Sequence, residues 1–283
     1  MNNTSSEVAS VSVVIPNYNN QKFIKRCLQS VISQTYTGIK EIIVVDDAST
    51  DNSRDIINSI AKNDIRIIPI YLKKNSKVSA ARNAGLKRVT SKYVTFLDGD
   101  DYYFNTKKIE NEMRLMKDKY GMETITYSYI ARVLSDDSLL SLNDIPENKL
   151  LEGHIYRKLL LTNSLAYIMR DYCVRTDYLR EVGGYNEERS FFEDFELILK
   201  LSRNAVFYCT KDFGTGYRVS ENGLSNRPYI EQIKTINEII CHEISNFSTM
   251  KRLYYLIARH ISYSAKVCKY RIKNTLKYFR KVG

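Results

Sequence analysis

The first hundred residues alternate between two hydrophobic periodicities, and this alternation limits the possible folds more than any other feature. Short runs rich in Val and Ile are typical of buried strands, and the segments between them carry apolar residues at helical spacing. Four strands alternate with three helices; in order the segments are VSVVIP, QKFIKRCLQSVISQT, KEIIVVDDAST, TDNSRDIINSIAKN, IRIIPIYL, VSAARNAGLKRVTS and KYVTFLD. Continuous apolar strands joined by helices predict an α/β fold, with a mainly parallel sheet covered by helices on both faces.

The second half of the chain is less regular. The segments ETITYSYIARVL and LAYIMRDYCVR predict two more strands, and AVFYCT and GTGYRVS predict two late antiparallel strands. A helix is expected to begin near Glu193, and Pro69 predicts an edge or bulged position for the third strand. We therefore expect one α/β domain over residues 1–226, followed by a helical tail over residues 227–283.

Carboxylates follow two of the predicted strands directly. Asp46 and Asp47 come after the second strand, and Asp98, Asp100 and Asp101 come after the fourth. Like charges this close disfavour one another's ionisation unless a cation or ordered hydrogen-bond donors compensate. A solvated turn, a helix N-cap and a metal site are three interpretations of Asp-Gly-Asp-Asp. Ligands bind at the carboxyl ends of parallel strands, so two acidic strand ends favour a ligand site.

Several classes of function lack their motifs in this chain. The first strand-to-helix connection, IPNYNNQ, is not a GxGxxG, and no GxxxxGK[ST] occurs, so a dinucleotide-binding Rossmann site and a P-loop are disfavoured. Five scattered cysteines form no CxxC pair, and the three histidines are not spaced for zinc. The odd number of thiols and the lack of a signal-peptide pattern predict a protein of the reducing cytosol.

The positive charge is concentrated at the end of the chain. The net charge is +11, and residues 251–283 contain ten Lys or Arg and no Asp or Glu. The rest of the chain has 33 basic against 32 acidic residues, a net charge of +1. Such asymmetry indicates a surface-binding appendage, and we expect no nucleic-acid partner.

Five stretches, in this order, resemble the family 2 glycosyltransferases: VSVVIPNYNN, EIIVVDDASTDNS, ARNAGL, YVTFLDGDD and FFEDFEL. The resemblance extends from Val11 to Ser225. It implies a GT-A fold and inverting transfer of a sugar from a nucleotide-sugar, with a UDP-sugar favoured, to a glycan or lipid-linked hydroxyl, as in capsule or lipopolysaccharide assembly. Two alternatives stay open: a nucleotidyltransferase, disfavoured because no glycine-rich basic loop follows the first strand, and a non-catalytic module that binds nucleotide-sugar or membrane.

The resemblance also implies site residues. Within DGD, the DxD motif of the family, Asp100 would hold a Mn²⁺ or Mg²⁺ ion and Asp98 would contact the ribose or the metal, while Asp101 is left open between ligand and helix cap. Such hard cations prefer carboxylate oxygens and neutralise charge on a leaving diphosphate. Nucleotide-sugar contacts are implied for seven residues, namely Pro16, Tyr18, Asp46, Asp47, Arg82, Asp98 and Arg218.

Individual roles within this set follow from the same resemblance. Asp46 would accept a hydrogen bond from the imide N–H of uracil and Asp47 would orient the loop, although both also suit capping of the next helix. Arg218 lies in a late loop that often carries Arg-x-His near the diphosphate, and here Ser220 stands in place of the His. In FFEDFEL, Asp194 would be the general base, with Glu193 as its neighbour or substitute; an acidic pair also suits a helix N-terminus.

The tail has its own periodicity. No Pro or Gly interrupts residues 250–282, which predicts one long helix or two abutting ones. Apolar residues fall on one side, namely Leu253, Leu256, Ile257, Ile261, Val267 and Cys268. Basic residues fall on the opposite side, namely Lys251, Arg259, Lys266, Lys269, Lys273, Lys277 and Arg280, and Arg271 breaks the pattern. We expect the first apolar turns to dock on the domain. The later basic turns of the 250–283 tail would bind anionic lipid at the inner face of the membrane in a salt-sensitive way; otherwise the tail is a structural brace.

Overall fold

The structure is a computed structural model that describes residues 8–117, 123–143, 150–162, 171–219 and 228–282. It divides into two compact units. The first unit comprises residues 1–154 and 167–221, and the second comprises residues 155–166 and 222–283. Residues 155–166 were expected in the α/β domain, whereas they cluster with the C-terminal helices. The predicted boundary at 226/227 lies outside the described residues and stays a prediction.

Strands and helices alternate through the first hundred residues as the sequence predicts. In chain order the elements are β1 (Val11–Asn17), α1 (Ile24–Ile32), β2 (Ile39–Asp46), α2 (Ser53–Ala61), β3 (Ile67–Tyr71), α3 (Lys77–Arg88), β4 (Tyr93–Phe96), β5 (Tyr102–Tyr103), α4 (Lys108–Lys117), β6 (Thr124–Val133), β7 (Leu139–Asn143), α5 (Tyr156–Thr162), β8 (Val174–Arg175), α6 (Thr176–Glu181), α7 (Glu193–Leu201), β9 (Val206–Arg218), α8 (Tyr229–Ser245) and α9 (Thr249–Val282).

The main sheet of the first unit has the strand order β3-β2-β1-β4-β8. The first four strands are parallel and β8 is antiparallel to β4, so the mainly parallel mixed sheet is confirmed. β3 lies at the edge, as Pro69 predicts. β1 is buried along its whole length and β2 along all but one residue, because helices cover both faces and leave no polar side to the strands.

A second sheet has the order β5-β9-β6-β7. Here the prediction of two late antiparallel strands is wrong, because β9 is one continuous strand, parallel to β6 and antiparallel to β5. The polar residues Thr210–Asp212, which suggest a turn, form an irregularity in β9, and Lys211 has a φ of 61°. Of the predicted strand LAYIMRDYCVR, residues 165–170 lie outside the described part, and of the others Val174–Arg175 form a strand.

One glycine fixes how closely α3 approaches the main sheet. A Cβ atom at Gly85 would lie 2.4 Å from Cγ1 of Val14 and 3.2 Å from Cγ2 of Val45. Both valines are fully buried. The helix can therefore lie this close to β1 and β2 only with glycine at this position, and its position determines where Arg82, one turn earlier, reaches the sheet edge.

Replacing Gly85 by Ala is expected to destabilise the protein by ~1–3 kcal/mol, because the added methyl group overpacks the contact with Val14. The better helix propensity of Ala offsets up to about 1 kcal/mol of that cost. Urea denaturation measures the free energy of unfolding. Lys87→Ala, at an exposed position of the same helix, is the control and should stay within about 0.5 kcal/mol of wild type. A Gly85→Ala protein as stable as wild type would contradict the packing argument.

The second unit consists of α5, α8 and α9. The predicted tail helix is confirmed as a single helix, α9. Its side chains, described as far as residue 272, face differently from the prediction: Leu253 and Ile257 are exposed, whereas Arg259 is buried and its Nε donates to Oδ1 of Asn237 at 3.0 Å. The expected docking of Leu253 and Ile257 and the expected solvation of Arg259 are therefore wrong.

Aromatic residues explain the reversed orientation of α9. Tyr255 packs edge-on against Phe247 at 5.4 Å between ring centroids, and Tyr270 stacks on Tyr229 at 5.2 Å. Because tyrosines supply much of the packing surface, the face marked by Leu and Ile stays outside. In the described part of the chain, no helix combines the length and the apolar composition that crossing a bilayer requires.

Candidate active site

A cluster of three carboxylates follows β4. Asp98, Asp100 and Asp101 each place a carboxylate oxygen within 4.8 Å of the others. The segment also forms a tight turn, since the backbone N–H of Asp101 donates to the carbonyl of Asp98 at 2.9 Å. The interpretation as a turn is thus correct for the backbone, and it does not explain why the three side chains converge.

The donor set of this cluster fits a hard divalent cation. Mg²⁺ and Mn²⁺ prefer oxygen ligands and keep positions for water or substrate oxygens. Asp98 and Asp100 are partly exposed and can share such an ion with a ligand, whereas Asp101 is buried and its Oδ1 accepts from the backbone N–H of Arg218 at 2.7 Å. The geometry therefore suits Asp98 and Asp100 as cation ligands and ties Asp101 to β9.

Gly99, between two of these aspartates, lies against the end of β1. Its N–H donates to the carbonyl of Pro16 at 3.1 Å, and a Cβ here would lie 2.9 Å from Oδ1 of Asn17. Glycine allows the two loops to meet, and their meeting brings the DGD segment beside Pro16 and Asn17.

Arg82 joins the carboxylate cluster to the start of α7. Its guanidinium is buried; Nη2 donates to Oδ1 of Asp98 at 2.7 Å and Nη1 donates to Oε1 of Glu193 at 2.9 Å. The guanidinium also lies 5.0 Å from the ring centroid of Tyr185, which packs edge-on against Phe96. Because the planar guanidinium binds one carboxylate through each terminal nitrogen, it fixes Asp98 and Glu193 relative to each other.

Glu193 and Asp194 begin α7 directly after Phe192, which has a left-handed backbone with a φ of 61°. Burial and the neighbouring charge of Asp194 raise the pKa of Glu193, and Arg82 opposes this shift. Asp194 is partly exposed, and its Oδ1 accepts from the backbone N–H of Phe195 at 2.7 Å. Glu193 is thus held by Arg82, while Asp194 is bonded to the backbone at the start of its own helix.

Asp46 is fully buried at the end of β2. Its carboxylate accepts from Nδ2 of Asn17 at 3.0 Å, from the N–H of Ser49 at 3.1 Å and from Nε of Arg54 at 2.6 Å. The side chain has no exposed surface and already has three donors, and its contact with a uracil imide stays a prediction. The structure assigns Asp46 to ordering the loop.

The other residues predicted at this end of the sheet differ in exposure. Asp47 is buried and its Oδ1 accepts from the N–H of Ser76 at 2.7 Å, which connects the loops after β2 and β3. Pro16 is buried at the end of β1, and Tyr18 is exposed. Tyr18 can therefore meet a ligand without any rearrangement.

Arg218, predicted to contact the nucleotide-sugar, is committed to protein acceptors. Nε donates to the carbonyl of Asp100 at 2.8 Å, Nη1 to the carbonyl of Leu134 at 2.7 Å and Nη2 to Oδ1 of Asp137 at 2.6 Å. Its guanidinium also lies 4.3 Å from the ring centroid of Phe23. A buried arginine with an acceptor on every nitrogen holds the backbone of the acidic loop, and its contact with a nucleotide-sugar stays a prediction. Ser220 lies outside the described residues.

The sheet order and the acidic cluster at its carboxyl edge define this protein's class as the GT-A fold. Solved structures of this fold include S. aureus TarS, whose 1–349 structure in complex with UDP-GlcNAc has a TM-score of 0.67 and 21% identity, and the alignment covers 89% of this chain and 73% of that one. Residues 12–176, more than half of the chain, match the sequence profile of glycosyl transferase family 2. The chain belongs to this family.

Two curated relatives show which proteins the chain resembles. TuaG of Bacillus subtilis, whose name assigns it to teichuronic acid biosynthesis, is 39% identical over 123 residues, which are 43% of this chain and 48% of TuaG. WfaP of Escherichia coli, named a UDP-Glc:alpha-D-GlcNAc-diphosphoundecaprenol beta-1,3-glucosyltransferase, is 39% identical over 131 residues, 46% of this chain and 49% of WfaP. The match spans about half the length of each relative.

Proposed function

We propose that this chain is a metal-dependent inverting glycosyltransferase. It moves a sugar from a nucleotide-sugar, a UDP-sugar in the first instance, to a hydroxyl of a cell-surface glycan or lipid-linked acceptor. The observation that carries the proposal is the connection, through Arg82, of the Asp98–Asp101 cluster with Glu193 and Asp194. Family membership supports sugar transfer, and the UDP-sugar and lipid-linked acceptor in the name of WfaP support the substrate classes.

In this proposal the carboxyl edge of the main sheet binds the donor. Asp98 and Asp100 would hold Mn²⁺ or Mg²⁺, and the bound ion would neutralise the charge that develops on the departing diphosphate. Tyr18 and Pro16 border the base, and Asp47 lies in the adjoining loop. Arg218 keeps the carbonyl of Asp100 in place, so it acts on the donor through the loop.

Asp194 removes the proton from the acceptor hydroxyl as the hydroxyl oxygen attacks the anomeric carbon. The new C–O bond forms on one face of the sugar while the bond to the diphosphate breaks on the other, so the configuration inverts and UDP leaves. Glu193, held by Arg82, positions the start of α7 beside the donor. Burial raises the pKa of Glu193, and Arg82 opposes this rise by favouring the ionised carboxylate.

Release of the nucleotide product tests the proposal. The protein is incubated with UDP-, GDP- and dTDP-sugars and a mixture of lipid-linked sugar acceptors, with Mn²⁺ or Mg²⁺ present, and products are identified by chromatography. We expect free UDP from one UDP-sugar, in an amount that matches the glycosylated acceptor. Release of pyrophosphate would identify a nucleotidyltransferase instead. Binding of a nucleotide-sugar without turnover over the whole panel would identify a non-catalytic binding module.

We also propose that the chain works in the cytoplasm at the inner face of the membrane, through the 250–283 tail. The charge of that segment, ten basic residues without an acidic one, supports attachment to anionic lipid. A lipid-linked acceptor of the kind named for WfaP would be found in that bilayer.

A further inference from the structure

One face of α9 carries large apolar side chains that the protein leaves exposed. This apolar stripe consists of Met250, Leu253, Tyr254, Ile257, Ile261 and Ile272, with exposed fractions between 52% and 79%. At 100° per residue the six positions fall within an arc of about 100°, so they share one face of the helix. Apolar residues exposed singly are ordinary, but five large ones on one helix face between Met250 and Ile261, with Ile272 further along, indicate a contact surface.

The opposite face of the helix is already used for packing. Arg259 is buried against α8, and Tyr255 and Tyr270 contact Phe247 and Tyr229. Lys266 is half-buried, and its Nζ donates to the carbonyl of Thr162 in α5. The helix is therefore held within its own unit by this face, and the apolar stripe is available to another surface.

The charge of α9 indicates what kind of surface the apolar stripe contacts. Ten basic residues and no acidic residue occur between positions 251 and 283; Arg252 and Lys269 are exposed beside the stripe, and Arg271 is exposed within its arc. Two copies joined through this face would bring like charges together without any carboxylate between them. An anionic lipid surface offers the opposite charge to the basic residues and an apolar interior to the stripe.

We propose that the apolar stripe of α9 inserts into an anionic bilayer, with the flanking basic residues at the level of the head groups. This inference rests on the proposed function, which gives the protein a reason to bind a membrane. The sequence-based prediction had the basic face of α9 meet the lipid, whereas here the apolar stripe does. Because apolar side chains enter the boundary between head groups and acyl chains, salt should weaken the attachment without abolishing it.

Liposome flotation of the full chain tests this inference without donor or acceptor. Vesicles of phosphatidylcholine, alone or mixed with phosphatidylglycerol, are used at low and high salt. The test variant changes Leu253, Ile257 and Ile261 to Gln. Its matched control changes Leu139, Leu140 and Leu142 to Gln, which are three comparably exposed apolar residues on β7 of the first unit. Circular dichroism confirms that both variants remain folded.

We expect wild type and the β7 control to float with anionic vesicles at both salt concentrations, and the stripe variant to bind at least ~10-fold less. Equal flotation of the stripe variant and wild type would overturn the inference, and so would complete loss of wild-type binding at high salt or flotation of neither protein. If flotation depends on the stripe but the protein releases no UDP from any donor, this inference is supported and the proposed activity is contradicted.

Discussion

Replacing Asp194 by Asn should reduce sugar transfer by ~10²–10⁴-fold, the range typical of general-base assistance, with donor affinity nearly unchanged. Asparagine keeps the shape of the side chain and can still accept the hydrogen bond from the N–H of Phe195, but it cannot take a proton from the acceptor. The ion pair between Arg82 and Glu193 is left in place, so the donor side of the site keeps its geometry.

Turnover at saturating donor and calorimetric titration of the donor separate the two effects. Asp177→Asn is the matched control: Asp177 lies in the first turn of another helix, α6, and is exposed, so this change should leave both quantities at wild-type values. A variant at Asp194 that loses donor binding but transfers sugar normally once saturated would assign this residue to the donor instead of the acceptor.

Replacing Asp100 by Ala should reduce activity by ~10²-fold or more, because the charge on the leaving diphosphate loses its counter-ion. The wild-type protein should lose its activity in EDTA and regain it with Mn²⁺ or Mg²⁺. Folding should be preserved, because Asp100 is partly exposed and Arg218 binds its backbone carbonyl, which the substitution retains. Activity is measured across a cation titration, and thermal unfolding is followed in parallel.

Asp55→Ala is the control for this prediction, since Asp55 is an exposed carboxylate in the first turn of α2. It should keep both the wild-type activity and the wild-type cation requirement. Near-normal turnover of Asp100→Ala in EDTA would show that the acidic cluster does not act through a cation.

The alternation of strands and helices up to Phe96 could be predicted because each of these elements is read from its own neighbours in sequence. Apolar runs on β1 and β2 are buried on both faces, and no distant residue is needed to recognise them. β9 could not be predicted in this way: its polar residues Thr210–Asp212 imitate a turn, and only the pairing with β6 shows that the strand continues. For α9, the prediction took Leu and Ile as the packing residues and therefore selected the wrong face, because tyrosines form the packed face.

For the candidate site, sequence reasoning found the carboxylates and missed what holds them. The cluster after β4 could be predicted from the position of Asp98 and Asp100 at a strand end. No local pattern indicates that Arg54 donates a hydrogen bond to Asp46. Nor does any pattern indicate that Arg218 binds Asp137, which is 81 residues earlier in the chain. Tyr185 follows a Gly-Gly break typical of a loop, yet it is buried beneath Arg82. Such contacts depend on tertiary packing, which residue types and spacings alone do not encode.

The attachment of Asp101 to Arg218 implies an order of folding events. Strands β1, β2 and β3 pair over 25 to 29 residues and β4 pairs with β1 over 82, so the parallel sheet can form as the chain leaves the ribosome, before β9 is available. The hydrogen bond from Arg218 to Asp101 closes 117 residues of chain, and loop-closure entropy delays such contacts. The acidic loop therefore acquires its final shape only after β9 has been synthesised and has paired with β5 and β6. A nascent chain with a complete parallel sheet still lacks an ordered acidic loop, so the proposed cation site forms late, long after its aspartates have emerged.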